Sequence, residues 1–384
     1  MGYLQNVKKS FKLKYSITYF ILIVFLVAMI SLNAGGLLGR STVGLLSRIA
    51  YSIIMAISLN LVVGFLGELS LGHAGFMCVG AYIGCFCANQ LHSVIDSPLL
   101  VLIIAMIIGA ICAAVFGFII GLPALRLKGD YLAIVTLAFG EIVRNVFKNL
   151  PWFGGAMGLN TKTYKPSSLF IVAFVMVILV LFLSQNLIRS KHGRAVTAIR
   201  DNEIAAKAMG INVTFYKLLI FVISAAFAGV AGVIYGHFAT PVMYSFFSYN
   251  YSIEVLVMVV LGGMGSLNGS IIAATLITYI NFLLQDKLSG DLAALRLLVY
   301  ALILIVVVVF NNAPALQKYR DKFSLKHWLE QHPHRKAETV VDDSAVWNRI
   351  PTKIPMDEVL SVDLRTEEAQ PTQNETGKED SLDG

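Results

Sequence analysis

Few side chains in this 384-residue chain have the type and spacing to do chemistry. Glu141 and Arg144 stand three residues apart, which makes them neighbours on one helix face, where acid and base pair. The pair can serve either structure or a solute pathway. His73 lies in "LSLGHAGF", among small residues, and reads either as a hydrogen-bonded packing histidine or as a pathway residue. Glu254 sits at the edge of an apolar run, a place that suits an interfacial residue better than a ligand. Gly262, Gly263, Gly265 and Gly269 of "LGGMGSLNGS" permit either a close helix crossing or a functional backbone break. The rest of the inventory is thin. There is no GxxxxGK[ST] phosphate loop, no HExxH and no GxSxG elbow. The histidines do not cluster with acids. Cys78, Cys85, Cys87 and Cys112 lie in apolar runs without a CxxC pair, as free buried thiols do. The chain is expected to carry no metal and no cofactor, and any ATP hydrolysis belongs on another chain.

One polar stretch is fully specified. In "RDNEIAAKAMGIN" (200–212), Asp201 or Asn202 can cap a helix with its side-chain oxygen. Glu203 then falls in the first turn, where the helix dipole favours an anion. Ala205, Ala206 and Ala208 are strong helix formers, and Gly210 can adopt the left-handed conformation that stops a helix. About two turns result, with a start and a stop.

The elements around these residues are apolar. Hydrophobic residues make up 57% of the chain and charged ones 14%, against roughly 25% charged in soluble domains. Spanning a bilayer core takes roughly 20 helical residues. Charge-free runs of that order recur at Ser16–Ala34, Ile49–Gly67, Leu69–Ile95, Leu99–Leu122, Pro166–Ile188, Leu218–Ile253, Val255–Gln285 and Leu297–Gln317. The expected fold is an all-α polytopic membrane protein of about 8–10 transmembrane helices over residues 16–315. Its first run reads as a retained helix, because no clear small-residue cleavage site follows. A basic segment, 1–15, precedes the spans; a basic segment, 316–336, and a polar, acidic, disorder-prone tail, 337–384, follow them. Residues 1–315 carry 20 Lys and Arg against 9 Asp and Glu. That excess reports orientation, not nucleic-acid binding. By the positive-inside rule both termini and the loop with Arg189, Lys191, Arg194, Arg200 and Lys207 face the cytoplasm.

Two places interrupt simple spans. Asp130–Lys148 carries Glu141 and Arg144 mid-crossing, and 262–269 is a glycine-rich break. "GELSLGHAG" (67–75) matches the second break in outline: Ser70-Leu71-Gly72 sets against Ser266-Leu267-Asn268-Gly269. Two repeated halves with paired glycine-broken segments are a feature of transport proteins.

Glu203-Ile204-Ala205-Ala206 followed by Gly210 resembles the loop helix by which permeases of bacterial ATP-driven importers dock onto their ATPases, although Ile204 splits the Glu from the alanines. Together with "LNLVVGFLGELSLGHAGFMCVGAY" (59–82), "GLPALRLKGDYLAIVTLAFGEIVRNV" (121–146), "FGGAMGLN" (153–160), "GRAVTAIRDNEIAAKAMGIN" (193–212) and "GGMGSLNGSIIAA" (262–274), it makes residues 40–310 resemble the LivM-type permeases of branched-chain amino acid importers. The usual ending of that family is replaced here by "NNAPALQ" (311–317) and the acidic tail.

The resemblance implies a non-catalytic subunit of the bacterial plasma membrane. Its partners would be a second homologous permease, two ATP-binding subunits and an extracytoplasmic solute-binding protein. It also implies a cytoplasmic coupling loop, 193–212, in which Arg200, Asn202, Glu203, Ile204, Ala205, Ala206, Ala208, Met209 and Gly210 meet the ATPase. Ile204, Ala205, Ala208 and Met209 form the contact face, and Arg194 and Arg200 steer towards an acidic rim. Pathway candidates are His73, Glu141, Arg144, Gly262, Gly263 and Gly265. Urea or another small polar solute is the alternative cargo. An ion-coupled secondary transporter is the alternative class; it would use the repeat and the Glu141–Arg144 pair without partners.

Overall fold

The computed structural model of the chain describes residues 18–33, 35, 39–127, 129–161, 164, 166–287, 301, 302 and 305. The expectations for 1–15, 316–336 and 337–384, and for almost all of Leu297–Gln317, fall outside the described residues. In chain order the helices are α1 (Thr18–Asn33), α2 (Arg40–Asn60, continued by a π turn over Leu61–Leu66), α3 (His73–Leu91), α4 (Pro98–Ala124), α5 (Asp130–Asn149), α6 (Pro166–Arg189), α7 (Lys191–Asp201), α8 (Glu203–Ala208), α9 (Val213–Phe238), α10 (Tyr249–Gly262) and α11 (Leu267–Lys287). Among the described residues the only β feature is one isolated bridge, Leu159 to Val242. Among the described residues six helices are long and apolar enough to cross a membrane: Arg40–Leu66, His73–Leu91, Pro98–Ala124, Ser168–Arg189, Val213–Phe238 and Leu267–Gln285. The apolar helices Thr18–Asn33 and Tyr249–Gly262 are shorter. The α5 segment, with its internal charges, is not among the six.

The centre of the fold is α2, which is apolar on all sides and buried along most of its length, with α6, α9, α10 and α11 around it. A second tight group, α3, α4 and α9, depends on missing side chains. A Cβ on Gly80 would collide with the Gly229 backbone, and one on Gly232 with the Met77 carbonyl. Helices whose backbones touch in this way gain dispersion contact that lipid cannot supply. By contrast, α4 turns Leu99, Ile103, Ile107, Ile111, Val115 and Phe118 outwards, a face suited to hydrocarbon. On the far side of the bundle α1 lies along α6: the Tyr19 hydroxyl donates to Gln185 Oε1 at 2.8 Å, and the Phe25 and Phe174 rings meet.

The two glycine breaks have one plan. The π turn that ends α2 closes at Gly67, whose φ is +82°; the N–H groups of Gly67 and Glu68 both donate to the Val62 carbonyl, and α3 starts just beyond Ser70. After α10, Gly263 and Gly265 take φ values of +88° and +82°, and α11 starts beyond Ser266. The breaks also touch. Asn60 Nδ2 donates to the Ser266 carbonyl (3.1 Å) and to Ser270 Oγ (2.8 Å), while its Oδ1 accepts from the Gly265 N–H (2.9 Å). There is no room beside this junction. A Cβ on Gly64 would land on both the Asn60 amide oxygen and the Gly265 nitrogen.

Candidate functional site

The polar segment 190–212 is assembled from caps. Ser190 starts α7 by accepting from the Gly193 N–H at 3.2 Å. At Asn202 the backbone becomes extended, with φ −157° and ψ 105°, and the side chain accepts from the Ala205 N–H at 3.0 Å to start α8. Asn202 is therefore the cap. Asp201 instead takes the Arg200 guanidinium, at 2.9 and 3.1 Å. Gly210 has φ +81° and ends the turn, with its N–H on the Lys207 carbonyl and the next N–H, that of Ile211, on Ala206. Asn212 then caps α9 through the Phe215 N–H at 3.1 Å.

The two faces of α8 differ. Ala206 is buried against the bundle, whereas Ala205 and Ala208 are exposed and Ile204 and Met209 are 81% and 82% exposed. Two large apolar side chains thus stand exposed on one short helix. The inward side is ionic. Glu203 meets Lys217 Nζ of α9 at 3.2 Å, and the same ammonium donates to Glu68 in the loop after the π turn. Lys217 is only 4% exposed, so this ammonium is paid for by two carboxylates rather than by water. Arg200 also turns inwards. Its Nη1 donates to the Gly64 carbonyl at 3.2 Å, and its Cγ lies 2.8 Å from where a Gly67 Cβ would be. The last carbonyls of a helix have no helical partner and sit at the negative end of its dipole, which suits a guanidinium. Arg200 thus joins α7 to the end of α2, while its side chain remains 36% exposed.

His73, fully buried at the start of α3, closes a network among helices. Ser58 and Ser224 each donate to the other's backbone carbonyl at 2.7 Å. With the Ser224 hydrogen so committed, His73 Nε2, 2.7 Å from Ser224 Oγ, must be the donor, which leaves Nδ1 to accept from Ser70 Oγ at 3.4 Å. These are the contacts of a packing histidine. Glu141 and Arg144 do pair, at 2.7 Å, and Glu141 Oε1 also accepts from the N–H of Tyr249, the first residue of α10. The pair thus caps one helix from another. Gly262 and Gly269 hold α10 against α11, since a Cβ on either would strike the other's backbone. Lys217, Glu68, Asn60, Ser58 and Ser224 escaped the sequence reading; the signal available was a polar residue at the end of, or inside, an apolar run.

These features define a polytopic α-helical membrane protein whose helix ends are clamped together beneath a short capped helix with a bare apolar face. Residues 41–308 match the family described as the permease component of branched-chain amino acid transport systems, and the chain belongs to that family. It is similar to the LivM permease of the high-affinity branched-chain amino acid transport system of Escherichia coli, with 33% identity over 68% of this chain and 66% of that protein. A probable LivM permease of Methanocaldococcus jannaschii is 29% identical over 48% of this chain and 57% of its own. The LivH permease of E. coli is 32% identical over 31% of this chain and 38% of its own. The chain thus spans just under two thirds of the length of the curated relatives it matches.

Proposed function

We propose that this chain is the non-catalytic transmembrane subunit of an ATP-driven importer of branched-chain amino acids in a bacterial plasma membrane. Its partners in this reading are a second, homologous permease, two ATPase subunits and an extracytoplasmic binding protein. The observation that carries it is α8: a capped helix with Ile204 and Met209 exposed on one side and Glu203 tied through Lys217 to Glu68 on the other. In a chain that belongs to a permease family, this helix serves as the coupling element. Its apolar face docks in a groove of an ATPase, and displacement of α8 reaches the membrane core along two links, Glu203–Lys217–Glu68 and Arg200–Gly64. The coupling loop then faces the cytoplasm, as do both termini.

Ala205→Glu tests this. Ala205 is exposed, so the variant should fold and melt as wild type does. It should lose most of the ATPase subunits on co-purification and most uptake of labelled leucine. Full retention of both would remove α8 as the docking element.

A further inference from the structure

Helix α5 presents to the surface of the bundle a face unlike that of α4. It turns Leu132, Thr136, Phe139, Gly140, Val143 and Phe147 inwards. The opposite stripe, Tyr131, Ile134, Ile142, Asn145, Val146 and Asn149, is exposed and follows the three- and four-residue spacing of one helix side. Glu141 and Arg144 lie at its edge, with side chains 24% and 25% exposed. The exposed residues of α4 are apolar throughout, so lipid can cover that helix. On α5 the apolar residues alternate with amides and flank an ion pair.

The polar part of this stripe lies at mid-depth. A Cβ on Gly75 would stand 2.7 Å from Gly140 Cα, so Gly140 packs on the start of α3. His73, in the same turn of α3, meets Ser224 Oγ close to the middle of the 26-residue α9. Glu141 and Arg144 therefore sit near the middle of the bundle rather than at either membrane surface. Ionisable side chains at such a depth face protein or water-filled space, because lipid offers them no partner. Asn145 and Asn149 add to this. Each Nδ2 donates to the carbonyl four residues earlier on α5, at 2.8 Å, and among the described residues neither amide reaches another helix. Side-chain amides on a helix surface are groups by which membrane helices bond across to a neighbour.

We propose that this outward stripe of α5 is the seat of the second permease subunit. Depth selects the occupant. The ATPases meet the chain at α8 and a binding protein lies outside the bilayer, so neither reaches the middle of α5. The composition fits a protein neighbour as well: Ile134, Ile142 and Val146 supply apolar area, while Asn145, Asn149 and the Arg144 guanidinium supply donors and acceptors. Glu141 holds Arg144 at 2.7 Å and is itself tied to the Tyr249 N–H. The charge is thus matched within this chain, and the neighbour has only neutral polar groups to supply. The proposal rests on the transport reading above and names the face by which this chain meets its membrane partner.

The test uses the full transporter, this chain with its partner subunits, in the membrane. The photo-crosslinking residue p-benzoylphenylalanine replaces Ile142 or Asn145 on α5, Ile107 on the lipid face of α4, or Ile204 on α8. After illumination, positions 142 and 145 should capture the second permease, position 107 no protein, and position 204 an ATPase. Capture at 142 and 145 of an ATPase, the binding protein, a second copy of this chain or this chain's own apolar run 297–317 overturns the seat, as does capture of nothing there. Position 204 keeps the two readings separate. Capture of an ATPase at 204 without the permease at 142 or 145 sinks the α5 seat alone; capture of no partner at any position overturns the transport reading with it. Substitutions give a second measurement. Ile142→Trp and Asn145→Leu should each lower co-purification of the second permease by about fivefold or more, with the amount of this chain in the membrane unchanged. Ile107→Trp should leave co-purification as in wild type. Wild-type recovery of the second permease with both α5 variants overturns the proposal.

Discussion

The two ends of α2 handle charge in opposite ways. At its C-terminal end every described charge is spent on another protein group: Lys217 on Glu68 and Glu203, and Arg200 on Asp201 and the Gly64 carbonyl. Glycines there remove the last free space. Near its N-terminal end Arg48 gives one N–H to the exposed amide oxygen of Gln285 and lies over the Phe238 ring, beside a cavity that it lines. A closed ionic clamp transmits displacement because its members cannot separate cheaply. A single exposed hydrogen bond to an amide holds a guanidinium more loosely than two carboxylates hold an ammonium. One end is therefore suited to passing on movement and the other to exchanging contacts.

The widest gap should appear when a cation is removed at each end. Lys217→Met leaves Glu68 and Glu203, 13% and 33% exposed, facing each other without their cation, a loss that at this partial burial costs on the order of 2–3 kcal/mol. Its melting temperature should fall steeply, and Glu68→Gln added to it should recover part of the loss. Arg48→Gln removes one exposed hydrogen bond to Gln285 and should cost no more than about 1 kcal/mol. Equal melting of the two single variants would abolish the distinction between the ends.

Alanine in place of glycine sharpens the same contrast at smaller scale. Gly64→Ala forces a methyl onto Asn60 and Gly265, an overpacking worth about 1–3 kcal/mol, and should loosen the Arg200 contact. Gly44→Ala, about one turn into the same helix at its other end, meets only the Phe238 ring at an ordinary 3.5 Å. It should be neutral or slightly stabilising in thermal melts, since alanine is the better helix former.

A modest effect of purely backbone origin belongs to Gly210. Nothing lies within 4 Å of its missing Cβ, so a substitution there costs only what the left-handed backbone costs, about 1–2 kcal/mol. Gly210→Val should weaken retention of the ATPases more than it lowers the melting temperature, and Gly210→Asn should be milder in both, because Asn tolerates positive φ. An Asn variant worse than the Val variant would show that the backbone is not what Gly210 supplies.

What the sequence made legible were the short-range parts. The cap at Asn202, the stop at Gly210, the Glu141–Arg144 pair and the glycine breaks are all set by neighbours within a few residues, and spacing alone gives them. The clamp was not legible, because Glu68 and Lys217 are 149 residues apart and nothing local joins them. The Arg200–Gly64 contact was hidden for a related reason, since 136 residues separate the two. A basic residue in a polar loop looks outward-facing until the end of α2 is brought beneath it. Asn60 sat unremarked within an apolar run, yet it joins the two glycine breaks; its three contacts lie 205 to 210 residues further along the chain.

Those separations bear on how the protein is made. Helix α2 leaves the ribosome early, carrying Ser58 and Asn60 on a segment destined for the middle of the bundle. Their partners, Ser224 and the stretch from Gly265 to Ser270, are 166 to 210 residues away in synthesis. At roughly 5–20 residues per second, the wait is on the order of 10–40 s. Through that interval α2 holds polar groups that lipid cannot satisfy, so it must remain beside the insertion machinery or in temporary contact with earlier helices until α9 and α11 arrive. Maturation of this part of the bundle is thus timed by α9 and α11, and a nascent chain halted before residue 265 would present to the membrane's quality control an α2 with its Asn60 side chain lacking its final partners.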